Sequence, residues 1–306
     1  MRHHVFYLIM LLLACTKLYA DSHRLGCFGE FGYSDMLTSV ATNGHMGVIS
    51  NIGGMYERQK NHFLFQMGIG VDYSFHAVYN SILNGGKPDM IDSDMDKCIY
   101  HYEITNKTDH THLIHVTPCI MVGGEWKYLY FLAGMRVPLN IFGTMQTRGL
   151  LSATGEYDNL IVPLEAMQNH QFYTNADIFR KYTYSQPDWE TFKPDIKIHI
   201  ELGIPVSLLF NDYSPNSSIK KLHRIAFFAE YGLFDRKPAN LVPLIDLHLS
   251  DNYIEHISLE DVEMHNLYAS KEIHKKSLHS LVVGLRYSFL IILPQQQKCR
   301  CTNVYY

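Results

Sequence analysis

Polar and apolar residues alternate with a period of two along several stretches of this chain. In the clearest stretch, 195–208, every even-numbered residue is apolar, and every odd-numbered residue is polar, glycine or proline. Because successive side chains of a β-strand point to opposite faces, this pattern predicts a strand with one apolar and one polar face. A helix would spread the same residues around its circumference, so the pattern excludes a helix here.

Seven further segments show the same alternation, which brings the predicted number of strands to eight. These segments are 25–33, 44–56, 63–77, 114–122, 127–141, 224–233 and 281–291. An even number of long, two-faced strands predicts an all-β fold, an up-and-down antiparallel transmembrane β-barrel. Two shorter alternating segments, 98–104 and 241–249, would extend strands beyond the membrane, or would give ten spanning strands if both were counted.

The connections between the predicted strands alternate between long and short. The long set is 34–43, 78–109, 143–193 and 234–277, and the short set is 57–62, 123–126 and 209–221. Outer-membrane barrels have long outer loops and short periplasmic turns. The lengths therefore favour eight strands and place the four long connections outside the cell.

The polar face of these strands is predicted to line the barrel interior. A face exposed to water is usually dense in Lys and Glu, whereas this one combines glycine with a few charges of both signs. The predicted interior charge network comprises Glu30, Asp72, Arg136, Lys197, Glu201, Arg224, Glu230 and Arg286. Unpaired buried charges are costly, so we expect these residues to pair and to fill the narrow lumen of an eight-stranded barrel.

The N-terminal segment 1–20 has the pattern of a secretory signal peptide. Arg2 precedes an apolar stretch over 5–14, and Ala20 offers a cleavage site before Asp21. A lipoprotein signal ending at an acylated Cys15 is the alternative, and both readings take the chain out of the cytoplasm. The barrel is then predicted over 21–293 and a short periplasmic tail over 294–306.

Composition excludes one class of partner and does not select among the others. Of the 306 residues, 47% are hydrophobic and only 18% are charged, and the net charge is -4. Nucleic-acid-binding proteins carry basic patches, so we expect no nucleic-acid partner. The expected partners are outer-membrane lipid and an extracellular or periplasmic protein.

Short motifs on the predicted strands resemble those of a known family. The segments GEFGYS at 29–34, FLFQMGIG at 63–70, YFLAG at 130–134 and VGLRYSF at 283–289 are similar to small porin-like (OmpA/PorT-like) bacterial outer-membrane β-barrel proteins. The resemblance covers 21–293 and implies a location in the outer membrane of a Gram-negative cell. Residues 294–306 are too few for the peptidoglycan-binding domain that often follows OmpA-type barrels, so cell-wall anchoring is not implied.

Three groups of residues resemble metal or redox sites without meeting the requirements of one. Asp92, Asp94, Asp96 and Glu103 match part of a calcium loop, but Lys97 stands where that loop requires glycine. The other two groups are the histidines His101, His110, His112 and His115, and the cysteines Cys299 and Cys301 together with Cys27, Cys98 and Cys119. We therefore expect no metal and no cofactor.

The sequence favours a non-enzymatic outer-membrane scaffold whose long loops bind a partner, because loops on a rigid frame commonly carry function. A small pore or transporter is the first alternative. A lipid-modifying outer-membrane enzyme with Ser and His at its outer rim is the second. The chain has no Gly-x-Ser-x-Gly elbow, so enzymatic activity is not favoured and no catalytic residue is assigned.

Overall fold

The structure is a computed structural model, which describes residues 22–38, 44–92, 94–157, 160–162, 172–184, 195–206, 220–234, 243–247, 251–269 and 278–293. Within these residues the chain is almost entirely β-strand. The predicted signal peptide with Cys15, and the predicted tail with Cys299 and Cys301, lie outside the described residues.

The strands are numbered β1 to β13 in chain order. They are β1 (Ser22–Thr38), β2 (Gly44–Lys60), β3 (Phe63–Ile91), β4 (Lys97–Glu125), β5 (Tyr130–Arg136), β6 (Leu139–Tyr157), β7 (Leu160–Val162), β8 (Ala176–Tyr184), β9 (Lys197–Pro205), β10 (Lys220–Gly232), β11 (Ile245–Leu247), β12 (Val262–Met264) and β13 (Leu278–Ile292). Two 3₁₀ turns, Ile254–His256 and Leu267–Ala269, are the described helical segments, and neither has the length or apolarity to cross a membrane.

Eight of the strands form a closed antiparallel ring. Its order is β1, β2, β3, β4, β5, β9, β10 and β13, and β13 pairs back onto β1. Glu30 on β1 lies opposite Asn51 of β2 on one side and Arg286 of β13 on the other, which fixes the register at closure. The prediction of an eight-stranded up-and-down barrel is confirmed.

The two faces of the ring are those that the alternation predicts. On β9 the odd-numbered residues are buried, and the even-numbered Ile198, Ile200, Leu202 and Ile204 are exposed on the outside. Neighbouring strands repeat the arrangement, with Phe227 on β10 as much as 72% exposed. Large apolar side chains therefore surround the ring, and polar side chains fill it.

The predicted strand 127–141 is two strands. β5 ends at Arg136 and β6 begins at Leu139, with Pro138 between them. Proline has no N–H to donate to a ladder, so the pairing is interrupted at this point. β5 pairs with residues 119–125 of β4 and with β9, whereas β6 pairs with residues 99–116 of β4.

Strands β3 and β4 continue beyond the ring as a long hairpin, which β6 and β8 widen into a sheet. We call the part outside the ring, formed by these strands and residues 243–269, the extension. The prediction that 78–109 and 143–193 are loops is therefore wrong, because most of 78–109 belongs to β3 and β4, and 143–193 contains β6, β7 and β8. Residues 98–104 extend β4 beyond the ring, as the sequence predicts for a strand that continues past its spanning part.

Two smaller predictions also need correction. The first long connection, 34–43, shrinks to residues 39–43, because β1 runs on to Thr38. Within 241–249 the strand β11 pairs with β12 and does not extend the ring. That hairpin packs on the inner side of the extension, where Ile104, Leu151, Ile178, Val262 and Met264 form a buried apolar cluster.

A bulge in β4 marks the change from ring to extension. Asn106 has a positive φ of 52°, and the pairing with β6 shifts between Thr105 and Thr108. Even-numbered residues such as Tyr100 and Ile104 are buried above the bulge, and odd-numbered residues such as Asp109 are buried below it. The extra residue shifts the alternation by one position. Even-numbered residues therefore face the interior above the bulge, and odd-numbered residues face it below.

Candidate functional site

All eight charged residues of the predicted interior network lie inside the ring. Each is at most 6% exposed, with Glu201, Arg224 and Arg286 at 1%. Seven of the eight take part in ion pairs with other described residues. The strands hold them there because each occupies an inward position of the two-residue repeat.

Six side chains form a closed cycle of polar contacts, made of ion pairs between arginine and glutamate and of the two hydrogen bonds of His199. Arg136 contacts Glu30, with Nη1 to Oε2 at 2.6 Å, and Glu230, with Nη1 to Oε1 at 2.7 Å. His199 lies 3.0 Å from Glu230 and 3.4 Å from Glu201 through its two ring nitrogens. Arg286 closes the cycle by contacting Glu201 at 3.1 Å and Glu30 at 3.2 Å.

This cycle crosses the lumen. Glu30 lies on β1 and Arg136 on β5, and these strands are four positions apart in either direction around the ring. Their contact therefore spans the diameter of the barrel. Lys197 joins from β9 by contacting Glu230 at 3.4 Å.

A second cluster lies nearer the end of the ring that carries the turns at 61–62 and 126–129, which we call the turn end. Arg24 contacts Glu57 at 2.8 Å and Glu125 at 2.7 Å. Arg224 contacts Glu57 at 2.6 Å and also pairs with Glu125. These four residues come from β1, β2, β4 and β10, so this cluster crosses the lumen as well.

Aromatic rings pack on the guanidinium groups and occupy the remaining space. Arg286 lies 4.2 Å from the ring centroid of Phe28, and Arg224 lies 4.6 Å from that of Tyr130. The hydroxyl of Tyr130 donates to Glu201 at 2.5 Å, which links the two clusters. Stacked cation–π contacts of this kind are favourable when both groups are shielded from water.

Asp72 differs from the other seven predicted residues. It accepts a hydrogen bond from the hydroxyl of Thr117, and its Oδ1 has no hydrogen-bond partner among the described residues. No ion pair to Asp72 is present within the described part of the chain. The structure thus places Asp72 in the lumen but outside the cycle.

The sequence reasoning missed four members of the two clusters, and it missed Tyr130, which links them. Glu57 and Glu125 fell within predicted turns, although the inward parity of their strands continues to them. Arg24 lies one residue before the first predicted strand. His199 and Tyr130 occupy inward positions but carry no formal charge, so a search for charges passed over them.

Within the described part of the chain, the metal-like motifs do not come together as sites. Among the described residues, no group of three or more His, Cys, Asp or Glu is placed to hold a metal ion. Asp92 instead accepts the backbone N–H groups of Asp94 and Asp96 in a turn. His101 pairs with Glu156 at 2.7 Å, and Cys27, Cys98 and Cys119 are free thiols.

Pairs of histidine and an aromatic residue lie at both edges of the outer apolar belt. At the turn end, His23 lies 2.6 Å from the hydroxyl of Tyr56, and His62 stacks on Trp126. At the edge next to the extension, His112 lies 2.8 Å from the hydroxyl of Tyr73. Amphipathic aromatic rings of this kind suit the boundary between an apolar layer and water.

The extension has a buried polar anchor of its own. The Asp109 carboxylate pairs with Lys107 and accepts hydrogen bonds from the Thr147 hydroxyl at 2.6 Å and the Leu267 N–H at 2.9 Å. Arg180 donates to the carbonyls of Leu259 and Val262 at 2.6 and 2.8 Å. These bonds attach residues 251–269 to the sheet of β4, β6 and β8.

Comparisons with known proteins add little to this picture. No protein-family model and no curated protein matches the chain. Two solved structures of Ail, the attachment invasion locus protein of Yersinia pestis, align at 10% sequence identity. One is in complex with the heparin analogue sucrose octasulfate (TM-score 0.24, 87% of this chain and 98% of that chain), and the other is not (0.26, 87% and 97%). TM-scores of this size carry no argument, so the barrel assignment rests on the strand pairing of this chain.

Proposed function

We propose that this protein is an outer-membrane β-barrel whose filled ring serves as a membrane anchor and whose extension serves as a binding surface outside the cell. The proposal includes no enzymatic activity. It keeps the resemblance to small porin-like barrels as a working family and assigns function to the extension.

The proposal rests on a change along single strands, whose outward face is apolar within the ring and mostly polar within the extension. On β4, outward residues from Ile114 to Val122 are apolar, whereas outward residues from Lys97 to His112 are mostly polar. At about 3.4 Å per residue and a strand tilt of about 40°, the apolar stretch covers roughly 21 Å. An outer-membrane barrel has an apolar band of about 25 Å.

The filled interior of the ring favours a membrane anchor and disfavours a pore. Two clusters of charged side chains cross the lumen, and these side chains are almost fully buried. We therefore expect the purified protein to give no ion conductance in planar bilayers. Stepwise conductance of the wild-type protein would favour the pore or transporter instead.

Orientation can be tested with two cysteine probes in a Cys27→Ser/Cys299→Ser/Cys301→Ser background, because Cys27 is exposed and the other two lie in the predicted periplasmic tail. Met95→Cys places a thiol at the tip of the extension, where Met95 is 67% exposed. Tyr128→Cys places one at the turn end, where Tyr128 is 63% exposed. In intact cells we expect a membrane-impermeant maleimide to label Met95→Cys alone.

Permeabilising the outer membrane should then expose Tyr128→Cys to the same reagent. Equal labelling of both sites in intact cells, or labelling of Tyr128→Cys alone, would overturn the proposed orientation. Heat-modifiable gel mobility of both variants provides the control for a folded barrel.

A further inference from the structure

A groove crosses the outer face of the extension directly above the apolar belt. It has a volume of about 430 Å³ and runs over β4, β6 and β8. The residues lining it are Thr108, His110, Gln146, Thr147, Arg148, Asp177 and Phe179. None of these residues belongs to the interior network, so the groove is separate from the site described above.

Basic side chains occupy neighbouring positions across these three strands. Gln146 of β6 is paired in register with His110 of β4 on one side and with Lys181 of β8 on the other. Arg148 follows two positions along β6, and His112 follows two positions along β4 toward the belt. The row therefore places one arginine, one lysine and two histidines close together on one small area of the surface.

One ion pair lies in the groove, and Lys181 beside it supplies a further positive charge. Asp177 is the one carboxylate among the described residues that line it, and it is paired with Arg148 at 2.6 and 2.9 Å. Burial lowers the pKa of His112, and the nearby His110 and Lys181 lower it further. The lowered pKa keeps the His112 imidazole neutral near pH 7, so Lys181 and Arg148 supply the positive charge of this surface.

The apolar belt begins directly below this row. Ile114 follows His112 on the outward face of β4, and Phe142 lies opposite Ile114 on β6. Phe75 packs against both His110 and His112, at centroid distances of 5.6 and 4.9 Å. A ligand in the groove would thus meet the Arg148 and Lys181 side chains above and a continuous apolar surface below.

We propose that this groove binds the phosphate-bearing headgroup of a membrane lipid, whose acyl chains lie along Ile114, Phe142 and the belt beneath them. The inference rests on the membrane placement proposed above. Lys and Arg are standard ligands of phosphate, and basic residues close to a membrane surface attract anionic lipid. A soluble sulfated sugar would match the charge, but it would make no use of the apolar surface.

The test measures lipid selectivity of the full chain by native mass spectrometry. The protein is reconstituted in vesicles of dioleoyl phosphatidylcholine that contain an equal amount of dioleoyl phosphatidate. We expect phosphatidate to be retained preferentially by the wild-type protein. Lys181→Gln should reduce this preference about fivefold, which corresponds to one cation at a membrane surface.

The double variant Lys181→Gln/His110→Gln should abolish the preference. The matched control, Lys97→Gln/His62→Gln, removes the same residue types from outward positions elsewhere and should leave the preference unchanged. A wild-type protein that folds and inserts but retains both lipids equally would overturn the lipid site while leaving the membrane placement intact. Failure to insert into these vesicles would instead overturn the proposed function.

The two other sources of anion are separated by competition. Inorganic phosphate and a soluble heparin fragment are each added to the reconstituted protein before lipid retention is measured. Continued retention of phosphatidate supports the lipid site. Lys181-dependent binding of the heparin fragment without lipid selectivity would overturn it in favour of a polysaccharide.

Discussion

The ring and the extension share strands β3 and β4. The ring has a polar interior and an apolar surface, whereas the extension has an apolar interior and a polar surface. Inside the ring, Arg136 contacts Glu30 and Glu230, and on its outer surface Phe227 is among the most exposed residues. Inside the extension, Ile104 and Met264 are fully buried in an apolar cluster, while its surface carries polar side chains such as His101.

With the ring in a membrane, as proposed, the difference shows how the surrounding medium decides which interactions hold a sheet together. In hydrocarbon, burying an apolar side chain within the protein gains little, so backbone pairing and interior polar contacts must hold the ring. In water, the extension gains free energy from removing apolar area from solvent. The same residue types should therefore have opposite energetic consequences in the two regions.

The largest effect is expected from removing a charge in the lumen. Arg136→Met leaves Glu30 and Glu230 without their cross-lumen partner, which typically costs about 3–5 kcal/mol for a buried pair. Urea unfolding in lipid vesicles, followed by heat-modifiable gel mobility, measures the loss. The control Lys127→Met at the exposed turn should remain within about 0.5 kcal/mol of wild type.

A comparable loss is expected in the core of the extension, but without damage to the ring. Met264→Ala removes a fully buried side chain, at a cost of about 2–5 kcal/mol. Limited proteolysis should then cleave the extension faster while the gel shift of the ring persists. Met135→Ala on the lipid face is the control and should not change proteolysis; equal sensitivity of both variants would contradict the distinction.

Introducing a charge on the outer surface should distinguish the ring from the extension most directly. Phe227→Arg places a cation in the apolar belt and should cost about 2–4 kcal/mol if it lies near the bilayer midplane. Ile99→Arg makes the same change on the surface of the extension, where we expect less than about 0.5 kcal/mol. Similar costs for both variants in vesicles would remove the argument for a membrane around the ring.

The smallest effect concerns the bulge between the regions. Asn106 adopts a left-handed backbone conformation, which asparagine tolerates better than alanine. Asn106→Ala should cost about 1 kcal/mol, and Asn106→Gly only a few tenths, as measured by urea unfolding. An equal loss for both variants would point to the exposed amide side chain instead of the backbone.

The sequence predicted the ring well because its strands share one rule. On 195–208 every second residue is apolar, and eight segments of that kind are enough for a closed sheet. The extension was taken for loops because segments such as 143–157 bury their apolar residues instead of exposing them. Met145 and Leu151 follow the same period, but only the structure shows which medium each face meets.

The interior residues were predictable individually but their partners were not. Inward parity places Glu30 and Arg136 in the lumen, yet they are 106 positions apart and meet only because their strands lie opposite each other. Glu57 and Glu125 were not predicted as interior residues because they lie at strand ends, where the alternation is weakest. The basic row at His110 and Lys181 depends on β8, which no sequence pattern had assigned.

The closed cycle of polar contacts also bears on how the barrel assembles. Its members come from β1, β5, β9, β10 and β13, so the cycle cannot be complete before the last strand has docked on the first. A half-formed sheet in the bilayer would turn Glu30 and Arg136 toward lipid without each other, at a high cost in free energy. We therefore expect insertion to be cooperative, with few stable partly closed intermediates and with closure as the step that commits the chain.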